Sequence, residues 1–221
     1  MIKAIIFDAY GTLISTGDGS LQAAEKILSL NGRNDISAKD FYSQWKSLHR
    51  KHIDELRDFA KEENIFKKDL HQLYKQYNFQ RNADEDVSVM LNTLGKRIAF
   101  PEARDGLERL SQKYTLAIGS TTDTEPLLND IKNNHLKIER VFTSESLRVY
   151  KPRMEFYEKI LTELNVKASE ALFVGDSLID DIAGPQSVGM LTCWINRKRA
   201  AAGEYIPNYE ISNLKGLFDI L

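Results

Sequence analysis

The chain has 221 residues, 42% of them hydrophobic, a formal net charge of −2 and a single cysteine, Cys193. That length holds one large domain or a core domain with an insertion, and the near-neutral charge gives no electrostatic case for nucleic acid or a membrane surface as partner. One cysteine excludes an internal disulfide and fits a reducing compartment; no apolar run approaches membrane-spanning length and the N-terminus reads as a strand rather than a signal peptide, so the expectation is a soluble cytoplasmic α/β protein.

Ala4, Ile5, Ile6 and Phe7 form an apolar run that reads as a buried strand, and FDAYGTL (residues 7–13) ends it in a carboxylate, Asp8, and a turn at Gly11-Thr12. Residues 15–95 have a different texture, rich in Lys, Glu, Gln, Asn, Leu and Tyr with no strand-like run. Gly17-Asp18-Gly19 reads as a hinge, and DISAKDFYSQWKSLHRKHIDELRDFAKEEN predicts one or two amphipathic helices with Ser37 and Asp40 as caps. SLNGRND and NTLGKR mark helix connections. A helical block inserted just after the first strand is expected to sit above the strand tips as a lid. The expected division is a core of residues 1–14 and 96–221 and a helical cap of residues 15–95.

Beyond residue 97, the runs YTLAIG (114–119), RVFTS (140–144), ALFVG (171–175) and MLTCWI (190–195) read as strands. Amphipathic stretches such as PEARDGLERLSQK and PRMEFYEKILTELN lie between several of them. This alternation predicts a doubly wound parallel sheet covered on both faces, with chemistry at the C-terminal ends of the strands. Those ends supply, in order, Asp8, Ser120 in IGSTTD, Lys151-Pro152 after ESLRVY, and Gly175-Asp176-Ser177 with Asp180 and Asp181 one turn on. One such residue means little; the ordered set is specific.

Other polar residues have plainer readings. His49, His52 and His71 are expected on the surface of cap helices, because no carboxylate or cysteine pattern of zinc spacing accompanies them. Arg197-Lys198-Arg199 reads as a solvated loop, Cys193 as a small hydrophobe in a buried strand, and Thr12 and Ser177 as turn-stabilising hydroxyls.

FDAYGTL, IGS, Lys151-Pro152 and VGDSLIDD (residues 174–181) together resemble the four motifs of the haloacid dehalogenase-like hydrolase superfamily, and the resemblance covers the whole chain. The insertion after the first motif is similar to that family's first-type cap. The resemblance implies a Rossmann-like core with the cap closing over the active site. Members are mostly Mg²⁺-dependent phosphatases, and the founding branch displaces halide from 2-haloacids without metal.

Asp8 is then the expected nucleophile, forming a covalent intermediate that water hydrolyses. A carboxylate approaching a phosphate dianion meets charge repulsion, so a cation must bridge them, and Mg²⁺ suits hard oxygen ligands. The resemblance implies the Asp8 and Asp176 side chains and the main-chain carbonyl of Tyr10 as metal ligands. It implies Lys151 neutralising one phosphoryl oxygen, Ser120 with Thr121 donating to others, and Asp181 orienting Lys151 or a metal-bound water. Backbone N–H groups after Asp8 would cradle the transferring group. Asp180 is explained equally well as a first-turn carboxylate facing the helix dipole.

Tyr10 departs from the phosphatase pattern, which places there an Asp serving as general acid and base. Such help is typically worth ~10²–10⁴-fold, and a phenol of pKa about 10 is a poor substitute at neutral pH. The dehalogenase branch does write Asp-x-Tyr-Gly-Thr, and Tyr157, six residues after Lys151, matches one of its active-site tyrosines, although Phe156, Tyr157 and Ile160 also read as the buried face of a helix. Against dehalogenation, Gly175-Asp176-Ser177 is kept where that branch has serine and asparagine, which leaves Asp176, Asp180 and Asp181 near Asp8, and Trp45-Lys46 stands where its halide-gripping arginine follows a tryptophan. Lys is not equivalent to Arg there. The reading is a Mg²⁺-dependent phosphatase of small metabolites, a monomer or homodimer. A 2-haloacid dehalogenase and a non-catalytic binding protein that keeps the fold are the alternatives.

Overall fold

β1 (Ala4–Phe7), β2 (Thr115–Ser120), β3 (Arg140–Thr143), β4 (Ala171–Gly175), β5 (Leu191–Ile195) and β6 (Tyr209–Ile211) form one sheet in the order β3-β2-β1-β4-β5-β6. Every neighbouring pair is parallel. The computed structural model describes residues 1–221, and the chain divides into two compact units, Met1–Ser15 with Ile98–Leu221 and Thr16–Arg97. No helix is long and apolar enough to cross a membrane.

In the sheet-bearing unit, the continuous apolar strands follow from burial on both faces. Ile5 and Phe7 pack on one side with Leu116, Ile118, Leu172 and Val174. Ala4 and Ile6 pack on the other with Ala117, Ala171 and Phe173. Successive side chains point to opposite faces, so a strand covered on both sides must be apolar at every position. Each fully buried Ile or Phe contributes roughly 1.5–3 kcal/mol. Of the strands, β6 was not expected. It is three residues long at the sheet edge, and of Tyr209, Glu210 and Ile211 only Ile211 is buried, which leaves no apolar run to read.

The unit Thr16–Arg97 holds four helices, α1 (Gly19–Leu30), α2 (Ala38–Asp54), α3 (Glu62–Tyr77) and α4 (Ala83–Leu91). Phe41, Trp45 and Leu48 on α2 and Phe66, Leu70 and Leu73 on α3 recur at helical spacing and form its core. Ser37 caps α2 by accepting from the Asp40 N–H at 3.3 Å. Asp40 is thus a first-turn acid rather than a cap.

Of His49, His52 and His71, expected on the surface, the first two are not there. His49 Nδ1 and His52 Nδ1 each lie 2.6 Å from a different carboxylate oxygen of Asp69, and the Trp45 indole donates to the same residue at 3.2 Å. A carboxylate only accepts, so both ring nitrogens donate. Asp69 is fully buried, and this shell of donors is what makes an acid tolerable inside a helical core. His71 is exposed, 3.0 Å from Asp84.

The remaining helices belong to the sheet-bearing unit: α5 (Ala103–Leu110), α6 (Thr124–Asn133), α7 (Ser144–Leu147), α8 (Met154–Leu164), α9 (Gly184–Ser187) and α10 (Leu217–Ile220), with a π-helical turn at Leu178–Ala183. Phe156, Tyr157 and Ile160 form the fully buried face of α8, and the Tyr157 hydroxyl donates to the Asp180 carbonyl at 2.5 Å. Cys193 is buried in β5, and burial pushes its thiol up to about 12.

Candidate active site

β1 hands the chain to Asp8, whose N–H still pairs with the Val174 carbonyl at 2.8 Å as though the strand continued. The backbone then turns back on itself: the N–H groups of Leu13 and Ile14 both donate to Ala9 O, at 2.9 and 2.8 Å, and Gly11 N–H donates to Ile14 O at 2.7 Å. Gly11 sits at φ +98°, and a Cβ there would come within 2.5 Å of both Asp176 carboxylate oxygens. Only glycine combines that backbone conformation with so close an approach. The turn after β1 is therefore packed directly against the acid delivered by β4.

Lys151, 2% exposed, lies between two carboxylates. Its Nζ donates to Asp8 Oδ1 at 2.7 Å and to Asp181 Oδ1 at 2.8 Å. The other oxygen of Asp181 accepts from the Ser177 N–H at 2.9 Å, so both of its oxygens are engaged. Ser177 also caps the π-helical turn, its Oγ accepting from the Asp180 N–H at 3.2 Å. A Cβ at Gly175 would overlap the Asp181 side chain, so that glycine makes room for the acid. One carboxylate oxygen from each of Asp8, Asp176 and Asp181 lies within 4.8 Å of the others.

The electrostatics of the three acids are those of a crowded site. Burial pushes Asp8 above the ordinary carboxylate range, with Lys151 opposing and Asp176 adding to the rise. Asp181 is pushed up by burial, opposed by Lys151 and reinforced by Asp8. Asp176 rises through desolvation by burial and the nearby Asp181, although the residue stays exposed. Lys151 is held above its usual value because Asp181 and Asp8 outweigh its burial. Three acids facing one ammonium leave negative charge uncompensated, and their hard oxygens fit a divalent cation such as Mg²⁺.

The structure brings Asp8, Lys151, Asp176 and Asp181 together as the sequence led us to expect. Ser120 closes β2 and is 1% exposed. Next to it, Thr121 Oγ1 is buried without a hydrogen-bond partner. Tyr10 follows the nucleophile, but its hydroxyl donates to Asp130 on α6 at 2.9 Å. Two expectations need correction. Thr12 Oγ1, read as a turn-stabilising hydroxyl, is buried and makes no hydrogen bond. Of the run Arg197-Lys198-Arg199, Lys198 and Arg199 are exposed, whereas Arg197 donates to the Gly11 and Thr12 carbonyls. Trp194 was legible only as part of a strand; its indole donates to the Asp176 carbonyl at 3.1 Å and steadies the backbone of that acid.

A family model described as haloacid dehalogenase-like hydrolase matches residues 2–189. YfnB of Bacillus subtilis is 31% identical over 123 residues, an alignment covering 54% of this chain and 52% of that protein. A solved structure of YfnB, described as bound to magnesium, matches with a TM-score of 0.84 and 22% identity, covering 100% of this chain and 98% of that one. The glyceraldehyde 3-phosphate phosphatase of Pyrococcus furiosus is 28% identical over 233 residues, covering 100% of this chain and 93% of that protein. The (S)-2-haloacid dehalogenase 4A of Burkholderia cepacia is 28% identical over 228 residues, covering 97% and 89%.

Proposed function

The chain belongs to the haloacid dehalogenase-like hydrolase family and is a hydrolase, and from that premise we propose that it is a Mg²⁺-dependent phosphatase of small phosphorylated metabolites with Asp8 as its nucleophile. The observation that carries this reading is the close set of Asp8, Asp176 and Asp181 oxygens balanced by a single lysine. Asp8 and Asp176, with the main-chain carbonyl of Tyr10, would hold the cation. Bound there, Mg²⁺ would offset the repulsion between the attacking carboxylate and a phosphate dianion.

The chain's own groups bind and orient the reacting atoms. An Asp8 oxygen forms a bond to phosphorus as the bond to the leaving oxygen breaks, giving an aspartyl phosphate. Water then attacks that phosphorus and the acyl phosphate bond breaks, releasing inorganic phosphate and the free carboxylate, while the proton lost by the water passes through solvent to the departed leaving oxygen. Lys151, already 2.7 Å from Asp8, fixes the nucleophile's orientation and offsets charge on the transferring group. Asp181 holds Lys151 in place from the other side at 2.8 Å. The Ser120 and Thr121 hydroxyls at the tip of β2 act as donors to phosphoryl oxygens, a role that would satisfy the orphaned Thr121 Oγ1.

Tyr10 and the resemblance to a haloacid dehalogenase favour a second reading, displacement of halide from a 2-haloacid through an aspartyl ester. The acidic set weighs against it, because an anionic haloacid approaching without a metal meets three carboxylates and one ammonium. Trp45 adds to this: its indole is 1% exposed and committed to Asp69 within the helical core, and Lys46 follows it. The deciding experiment is hydrolysis of an activated aryl phosphate with Mg²⁺, with chelator, and after Mg²⁺ is restored. Loss and recovery of turnover supports the reading. Full turnover in chelator overturns the metal mechanism, and no turnover of any phosphate ester favours a non-catalytic binding protein.

A further inference from the structure

Arg197 stands just past the end of β5, and its guanidinium is used on every side. Nη2 donates to the Thr12 carbonyl at 2.8 Å, and Nε to the Gly11 carbonyl at 3.2 Å. Nη1 pairs with Glu102 at 2.8 Å, with side chains only 19% and 13% exposed. The guanidinium also lies over the Phe100 ring, 3.5 Å from its centroid. A fork of donors held by a carboxylate on one edge and an aromatic ring on one face has little freedom left.

We infer that Arg197 is a positioning residue for the turn that carries the nucleophile: by gripping the Gly11 and Thr12 carbonyls it sets where the Asp8–Thr12 segment lies against Asp176. The inference rests on the phosphatase reading for its catalytic meaning. Gly11 connects Arg197 to Asp176, since its carbonyl accepts from the guanidinium and its α-carbon packs against the Asp176 carboxylate, with no room for a Cβ between them. A shift of the turn along the Arg197 contacts moves Gly11 relative to Asp176. It therefore changes the spacing of the groups proposed to hold the cation. Glu102 and Phe100 fix the guanidinium from the segment just before α5, so the turn after β1 is tied to two other parts of the sheet-bearing unit. Lysine cannot reproduce this, because one ammonium cannot span two carbonyls and a carboxylate while stacking on a ring.

The test compares wild type with Arg197→Ala, Arg197→Lys and, as a control, Arg199→Ala, all checked for folding by circular dichroism and thermal melting. Three quantities are read: hydrogen exchange of the amides of residues 9–14, Mg²⁺ affinity by calorimetry without substrate, and kcat and KM for an aryl phosphate. Arg197→Ala should speed exchange in the turn, weaken Mg²⁺ binding by about tenfold and lower kcat by roughly 10–100-fold with KM changed little. Arg197→Lys should fall between, and Arg199→Ala should match wild type. A folded Arg197→Ala protein with wild-type exchange overturns the inference. So does one whose turn loosens while Mg²⁺ affinity and kcat stay at wild-type values. If wild type neither binds Mg²⁺ nor hydrolyses a phosphate, the functional reading falls, and exchange alone then decides whether the clamp exists. If the alanine variant fails to fold, Arg197→Lys carries the same comparison.

Discussion

The hydroxyl of Tyr10 donates to the carboxylate of Asp130 at 2.9 Å across 120 residues of sequence. Asp130 is fully buried on α6, and the Tyr10 ring packs against the hydrophobic core of the sheet-bearing unit. The side chain two residues after the nucleophile therefore serves as an anchor, with its proton directed at Asp130 rather than held for a leaving group.

This relationship predicts a dependence on leaving group. Acyl and aryl phosphates should be hydrolysed far faster than sugar or alkyl phosphates, because their leaving groups depart without a proton. Tyr10→Phe removes one donor from a buried carboxylate and should lower stability by roughly 1–3 kcal/mol, while aryl phosphate turnover stays within about threefold if the hydroxyl takes no part in proton transfer. Tyr10→Asp removes the anchor and leaves Asp130 without its phenol donor, so it should be less stable than wild type; in protein that still folds, alkyl phosphate turnover should rise by up to ~10²-fold relative to aryl. An unchanged alkyl-to-aryl ratio in a folded Tyr10→Asp protein would show that protons arrive from elsewhere.

Asp8→Asn should abolish turnover outright, since an amide is no nucleophile. Asp181→Asn keeps the shape of the side chain but loses the charge facing Lys151 at 2.8 Å. It should fold normally and lower kcat by roughly 10²-fold, with a smaller effect on KM. Wild-type kcat in Asp181→Asn would show that Asp8 alone positions Lys151.

Chloride release from 2-chloropropionate should be slight or undetectable, because the acidic set disfavours an anion in the absence of metal. Ion-selective measurement with each enantiomer, with and without chelator, checks this. Robust stereospecific release in chelator would place dehalogenation ahead of phosphate hydrolysis.

The buried network of the helical unit predicts a pH dependence of stability. Burial disfavours the charged form of His49, but hydrogen bonds to Asp69 and Glu62 prevail and raise it from the ordinary 6.5 to about 9. Asp69, Glu62, His52, Trp45 and the stacked Phe66 ring are the groups around it. A raised folded-state value means that the stabilisation is complete below pH 6.5 and is lost as pH rises through about 9. His49→Gln should therefore cost on the order of 3 kcal/mol at pH 6, and the cost should shrink by pH 10. Urea unfolding of both proteins across that range measures it; a pH-independent difference would remove the charge from the account.

Sequence alone determined the strands β1 to β5, the helical texture of the segment after the first strand, and the order in which Asp8, Ser120 and Asp176 reach the strand tips, with Lys151 arriving after β3 and α7. These were legible because each depends on a local pattern: an apolar run that must be buried on both faces, ended by a polar residue and a turn. Tertiary structure decided the rest. Nothing near Tyr10 announces Asp130, nothing near Arg197 announces the Gly11 and Thr12 carbonyls, and His49 and His52 look like surface residues until Asp69 folds against them from the next helix. Such pairings join buried polar groups that are distant in sequence, and their energy comes from satisfying a donor or acceptor that water can no longer reach. A charged or polar residue carries no local mark of whether it will meet solvent or a buried partner; only packing of the whole chain settles which.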